Sequence, residues 1–214
     1  MKQEKIVDIL KFLRRSKELE SIKRYQSSLR GKQNTVAEHS WRIALMTFII
    51  ASECKVNMDL GHALGLALVH DLAEAKTGDV DAFDQIIEGK SLIKDKVRQE
   101  EQAIHEITDD LSFGDWIYSL WQEYEEQRTI EAKFIKALDK IEGFLHIAEG
   151  EVRMYIPREF HADYANEAVA SFDEATRHFP ELKDLLDNIK EDLKTQFDKA
   201  GVKWIDGTAN TFSN

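Results

Sequence analysis

The sequence predicts an all-α fold in a single domain, and three observations carry that prediction. Apolar residues recur at helical spacing in segment after segment. Prolines number only 2 and glycines 10, which suits long helices and few tight turns. No stretch alternates apolar and polar residues as a half-buried strand does. A chain of 214 residues is long enough to bury one sizeable core.

Taken in order, Ile6, Ile9, Leu10 and Leu13 mark a first helix ending near Glu20, and residues 23–31 follow as an aperiodic ordered loop. Thr35-Val36-Ala37-Glu38 has the capping-box pattern and opens a strongly apolar helix with Trp41, Ala44, Leu45, Phe48 and Ile49, expected to lie in the core. Asp59 is the expected N-cap of a buried amphipathic helix built on Leu60, Ala63, Leu64, Ala67 and Leu68 and running to Thr77, where Gly78 stops it. A loop is expected over residues 77–89. Ile93, Val97, Ile104 and Ile107 mark the next helix, and Trp116, Ile117, Leu120, Trp121 and Tyr124 another, as core or as a dimer interface. Residues 130–149 form a long helix with Phe134, Ile135, Leu138, Ile141 and Leu145 inward, and helices are expected over 164–178 and 181–199. Residues 1–200 are read as the domain and 201–214 as a tail.

Composition narrows the function. A net charge of -11 speaks against non-specific binding to nucleic acid or anionic membranes, since both need a basic face. The single cysteine, Cys54, rules out an internal disulfide framework and reads as a small partly buried residue. The opening Met1-Lys2-Gln3-Glu4-Lys5 lacks the apolar core of a signal peptide, and no apolar run approaches spanning length, so a cytoplasmic setting is expected.

The chemistry concentrates in four places. His70, Asp71 and Glu74 stand at the end of an apolar helix and can converge on one rim. Burying them is costly unless they are paired or hold a metal. His39 sits one turn into the capped helix, and Asp139 interrupts the apolar run 134–141. Two imidazoles and two carboxylates without thiolate suit a catalytic transition-metal site with open positions.

The order of these residues resembles the HD superfamily of metal-dependent phosphohydrolases. Ala37-Glu38-His39-Ser40, Leu68-Val69-His70-Asp71-Leu72-Ala73-Glu74, Gly78-Asp79-Val80 and the block 131–140 around Asp139 are similar to its 5′-deoxynucleotidase branch, which includes the HD-domain-containing protein 2 type. The resemblance implies a helical HD bundle with the metal between helices. His39, His70, Asp71 and Asp139 would be ligands of a divalent ion (Mn, Co, Fe, Zn, Ni or Cu). Arg24 followed by the aromatic Tyr25 matches the phosphate-contacting pair. Glu74 is left with two readings: a proton-transfer group, or a ligand with Asp79 and the Val80 carbonyl for a second Mg or Mn ion. Asp71 and Asp139 would also face the substrate, and Gly78-Asp79-Val80-Asp81-Ala82 would hold the sugar, an Asp accepting from its 3′-hydroxyl. A phosphomonoester dianion needs one cation beyond the ion, which Arg24 can supply bidentately.

The expected activity is therefore hydrolysis of deoxyribonucleoside 5′-monophosphates by a homodimer. The alternatives are another nucleotide on the same fold (guanosine tetraphosphate, a cyclic nucleotide or a nucleoside triphosphate) and a non-catalytic helical dimer stabilised by metal. Glu74-Ala75 stands where guanosine tetraphosphate hydrolases carry a Glu-Asp pair, which counts against that substrate. Among the remaining histidines, His146 lies on the Asp139 face and is a candidate to support the ligands. His62 faces solvent or a neighbouring helix, and His105, His161 and His178 are read as surface residues. Glu123, Glu125 and Glu126 are read as a solvated face.

Overall fold

A computed structural model describes residues 2–26, 33–80, 90–150 and 176–201, the side chains of 90–95 excepted. The described residues are all-helical apart from one isolated antiparallel bridge, Lys23 to Thr35. The elements are α1 (Gln3–Ser16), a 3₁₀ turn (Lys17–Glu20), α2 (Val36–Glu53), α3 (Leu60–Val69), α4 (Glu74–Thr77), α5 (Lys90–Thr108), α6 (Gly114–Glu126) and α7 (Ile130–Glu149). A second 3₁₀ turn (Pro180–Leu182) leads into α8 (Lys183–Ala200).

Helix α3 is the hub, packed against α2, α6 and α7, while α8 covers α7 and α5 packs on α6 and α4. Its apolar body explains the position: Ala63, Leu66 and Ala67 have no exposed surface. Facing them on α7, Phe134, Ile135, Leu138 and Ile141 are also fully buried, and Phe134 meets Phe179 edge to face at 5.2 Å. Where α6 begins, a Cβ on Gly114 would stand 2.0 Å from the Thr108 carbonyl oxygen, so only glycine lets the chain turn there. Among the described residues no helix is long and apolar enough to cross a membrane.

Several expectations about faces need correction. On α1, Ile9, Leu10 and Leu13 are exposed and no residue is fully buried; the helix is held by Phe12, edge to face with Phe113 at 5.7 Å, and by Arg15, which donates to Asp110 and the Ile107 carbonyl. On α2, Trp41, Leu45, Phe48 and Ile49 point outward, with Trp41 65% exposed; on neighbouring α3, Leu68 does the same. Trp116 and Val97 are likewise exposed, although Trp121 and Tyr124 are core. Glu123 is not a solvated residue: it accepts from His62 at 2.8 Å and from Thr129, tying α3 to the start of α7.

The helix opened by Asp59 breaks at residues 70–73 rather than running to Thr77. There the backbone tightens, Leu72 N–H reaching the Val69 carbonyl at 2.9 Å and Glu74 N–H the Asp71 carbonyl at 3.0 Å. Val69, His70, Leu72, Ala73 and Glu74 are all buried, and a straight helix cannot turn so many neighbouring side chains inward. Gly78, at φ 75°, closes α4. The 201–214 tail beyond Gly201, most of the helix expected over 164–178, and His161, Asp81 and Ala82 lie outside the described residues.

Candidate metal centre

Three helices deliver the chemistry to one place. The capping box forms as the sequence predicts: Glu38 N–H donates to Thr35 Oγ1 at 3.1 Å, and Thr35 N–H to the Glu38 carboxylate at 2.7 Å. This fixes the start of α2 and aims His39, with no exposed surface, into the bundle. His70 caps the end of α3, Asp71 follows in the tightened turn, and Asp139 projects from α7.

Ligand-type atoms of His39, His70 and Asp71 all lie within 4.8 Å of one another. His39 Nε2 stands 3.6 Å from Asp71 Oδ2 and 3.3 Å from Asp139 Oδ1, so the fourth expected residue closes the same group. His70 Nδ1–H donates to the Ala67 carbonyl at 2.9 Å, which leaves Nε2 as a bare acceptor 3.0 Å from Asp71 Oδ2. Two acceptors at that distance repel unless a cation sits beside them. The Nε2 atoms of both histidines are buried without a hydrogen-bond partner, while their Nδ1 atoms are held from behind. That is the arrangement of ligating imidazoles, and the donor set fits a divalent ion.

The charges are consistent with this. Burial alone would raise Asp71, but positive charge on the His70 and His39 side outweighs it and holds the carboxyl below its ordinary range, the effect a bound cation would have on the same oxygen. Burial and the Arg24 charge oppose protonation of His39, yet Asp139 and Glu142 overcome them and raise its pKa. Burial drives Glu74 the other way: with Asp71 and Asp79 near it, the carboxyl is pushed well above its ordinary value, against the pull of Lys96.

Glu74 Oε1 lies 3.7 Å from Lys96 Nζ, which also reaches Glu100 Oε1 at 3.3 Å, and Glu74 Oε2 is buried without a hydrogen-bond partner. Asp79 and Val80 are half-buried beyond Gly78, with Asp79 in electrostatic reach of Glu74 and Arg24. Arg24 is placed by the backbone: its N–H donates to the Asn34 carbonyl at 3.0 Å, beside the bridge of Lys23 to Thr35. Its Nη1 donates to Glu142 Oε2 at 3.1 Å and stands 2.6 Å from His39 Nδ1. Tyr25 adopts φ 58°, rare outside glycine, and its ring stacks on His146 at 5.3 Å with the Arg24 guanidinium 4.9 Å from its centre. His146 thus packs behind the loop that carries Arg24 and Tyr25.

Sequence reasoning missed four residues here. Glu142 is fully buried and accepts from His39 Nδ1 at 2.5 Å. Tyr124 donates to Asp139 Oδ2 at 3.0 Å and sets its ring edge against His70 at 5.2 Å. Lys96 meets Glu74 from α5, with Glu100 paired to Lys96 behind it. For Glu142 a signal existed, since it follows Asp139 by one helical step on an otherwise apolar helix. Lys96 and Glu100 gave none, because only the fold brings α5 to α4.

An all-helical bundle that converges two imidazoles and two carboxylates on one buried point defines a helical metal-centre protein. The chain belongs to the HD domain family, whose model matches residues 16–183. It is 32% identical over 191 residues to the 5′-deoxynucleotidase HDDC2 of Homo sapiens, covering 87% of each chain. It is 36% identical over 147 residues to the HDDC2 protein of Mus musculus, covering 67% of this chain and 70% of that one. Its fold matches the crystal structure of a predicted metal-dependent phosphohydrolase from Magnetospirillum magnetotacticum with a TM-score of 0.69 at 23% identity, covering 94% and 96% of the two chains.

Proposed function

We propose that this protein is a metal-dependent phosphomonoester hydrolase that releases phosphate from deoxyribonucleoside 5′-monophosphates. One observation carries the reading: the two partnerless Nε2 atoms of His39 and His70 face Asp71 and Asp139, in a chain with relatives named 5′-deoxynucleotidase. A divalent ion held by these four residues supplies Lewis-acid polarisation of the phosphoryl group and a nucleophile from water at neutral pH. Arg24 meets the phosphate dianion and holds it in line for attack. Glu74 exchanges a proton with the reacting oxygens through Oε2, the atom without a hydrogen bond. Asp79 accepts from the 3′-hydroxyl, with Val80 beside it, and Tyr25 borders the phosphate.

A second reading of Glu74 has its own support. Asp71, Asp79 and Glu100 all act electrostatically on it, and so much negative charge with one Lys96 suits another Mg²⁺ or Mn²⁺ held with Asp79 and the Val80 carbonyl.

The homodimer rests on the outward face of α2. Trp41, Leu45, Phe48 and Ile49 are spaced to share one side of the helix, and a second copy of that side is a self-complementary cover. The single cysteine is compatible with a reducing, cytoplasmic setting.

The test is phosphate release across deoxyribo- and ribonucleoside monophosphates, guanosine tetraphosphate and triphosphates, with Mn²⁺, Co²⁺ or Mg²⁺ added. Deoxynucleoside monophosphates should be preferred, and Glu74→Ala should keep metal while losing about 10²-fold or more in turnover. If Glu74 holds a second ion instead, excess Mg²⁺ or Mn²⁺ should partly rescue Glu74→Asp. Full turnover in Glu74→Ala would remove both roles.

A further inference from the structure

We infer that Glu142 is a positioning residue that sets the metal half and the phosphate half of the site with one carboxylate; this rests on the hydrolase reading above. Glu142 follows Asp139 by one helical step on α7, so ligand and support project from the same face. It has no exposed surface, and a buried carboxylate is costly unless charge and hydrogen bonds compensate it.

The compensation is unevenly distributed. Oε2 accepts from His39 Nδ1–H at 2.5 Å and from Arg24 Nη1 at 3.1 Å. Oε1 is buried without a hydrogen bond, its nearest cation being Arg42 Nε at 3.7 Å, while the Arg42 fork is committed to Glu149. A carboxylate serving only to neutralise Arg42 would turn a well-bonded oxygen to it. Here both bonds fall on the oxygen that faces the site.

The two donors on Oε2 do opposite jobs. His39 must present a bare Nε2 to the ion, which requires the proton on Nδ1 and an acceptor behind it. Arg24 must stay charged and in place for the phosphate. Their nitrogens stand only 2.6 Å apart, and two donors that close repel unless a shared anion holds both. Glu142 is that anion. A glutamine in its place keeps one acceptor oxygen but loses the negative charge, so it no longer compensates the Arg24 cation held beside the His39 N–H.

The test needs no turnover. Metal-free full-length protein is titrated with Co²⁺, and the Co²⁺-loaded protein with inorganic phosphate, for wild type, Glu142→Gln, Arg24→Ala and the double variant. Glu142→Gln should weaken Co²⁺ about 10–100-fold, whereas Arg24→Ala, which leaves His39 its Glu142 acceptor and removes a cation, should not weaken it. Phosphate affinity should fall in both single variants, and the double variant should be no weaker than Arg24→Ala alone, because both changes remove one arrangement. Wild-type Co²⁺ affinity in Glu142→Gln, or phosphate losses that multiply in the double variant, would overturn the inference. If Glu142→Gln does not fold, Glu142→Asp, which keeps the charge but draws it back, should weaken Co²⁺ in the same direction. Unchanged Co²⁺ affinity there would be equally decisive. A protein that binds Co²⁺ as expected but releases no phosphate from any nucleotide would count against the hydrolase reading and leave this one standing.

Discussion

At the scale of single residues, the site is decided by what stands behind each reactive group. Arg24 lies one position from Lys23, yet only Arg24 reaches Glu142 and the His39 ring. Removing the phosphate contact proposed for it, by Arg24→Ala, should cost about 1.5–3 kcal/mol, roughly 10–100-fold in kcat/KM. Lys23→Ala is the nearby-charge control and should cost little, and Arg24→Lys should recover only part, because an ammonium lacks the planar fork. Equal small losses at both positions would argue for general electrostatics alone. The raised pKa of His39 makes a second expectation. An ion must displace the His39 proton, which the ring holds to higher pH than a free imidazole does. Metal affinity should therefore weaken as pH falls through that raised value and level off above it. Co²⁺ titrations between pH 6 and 8 measure this, and an affinity flat over that range would contradict it.

At the scale of elements, the start of α2 fixes both the helix and the loop before it. Thr35 caps the helix through Glu38 and pairs with Lys23, next to Arg24. Thr35→Ala should cost about 0.5–2 kcal/mol in denaturant melts. It should also raise KM through the loop; a stability loss with unchanged kinetics would mean the cap does not place Arg24. This element was fully legible, because a capping box is local chemistry. The inward face of α2 was not. Trp41, Leu45, Phe48 and Ile49 look as core-like as buried Val36 and Ile43, and a helix apolar nearly all round carries no polar stripe to mark its outside. The break after Val69 was also hidden: no Pro or Gly stands at 70–73, and the tightening comes from the number of side chains that the bundle takes in. The metal-type residues His39, His70, Asp71 and Asp139 were legible as a set because their order in the chain carried the family resemblance. Their supports Tyr124, Lys96 and Glu100 depend on which helices become neighbours, and Glu142 looked like one more acid on a helix flank.

At the scale of the whole molecule, the exposed side of α2 should govern association. Phe48→Asp should shift the protein from dimer to monomer in light scattering after size-exclusion chromatography, with its helical content kept. A wild-type protein that is monomeric at tens of micromolar would sink the proposal for this face. The convergence of His39, His70, Asp71 and Asp139 has a consequence for folding as well. An ion held there would act as a clasp between chain segments far apart in sequence, closing two long loops that the unfolded chain leaves open. Its binding free energy then becomes folding free energy, about 2.7 kcal/mol when free metal stands at a hundred times Kd. Chelation should lower Tm, and amide exchange should quicken first where α2, α3 and α7 meet. The metal centre would thus also be a lock on the bundle, and metal supply would set how long the folded chain survives.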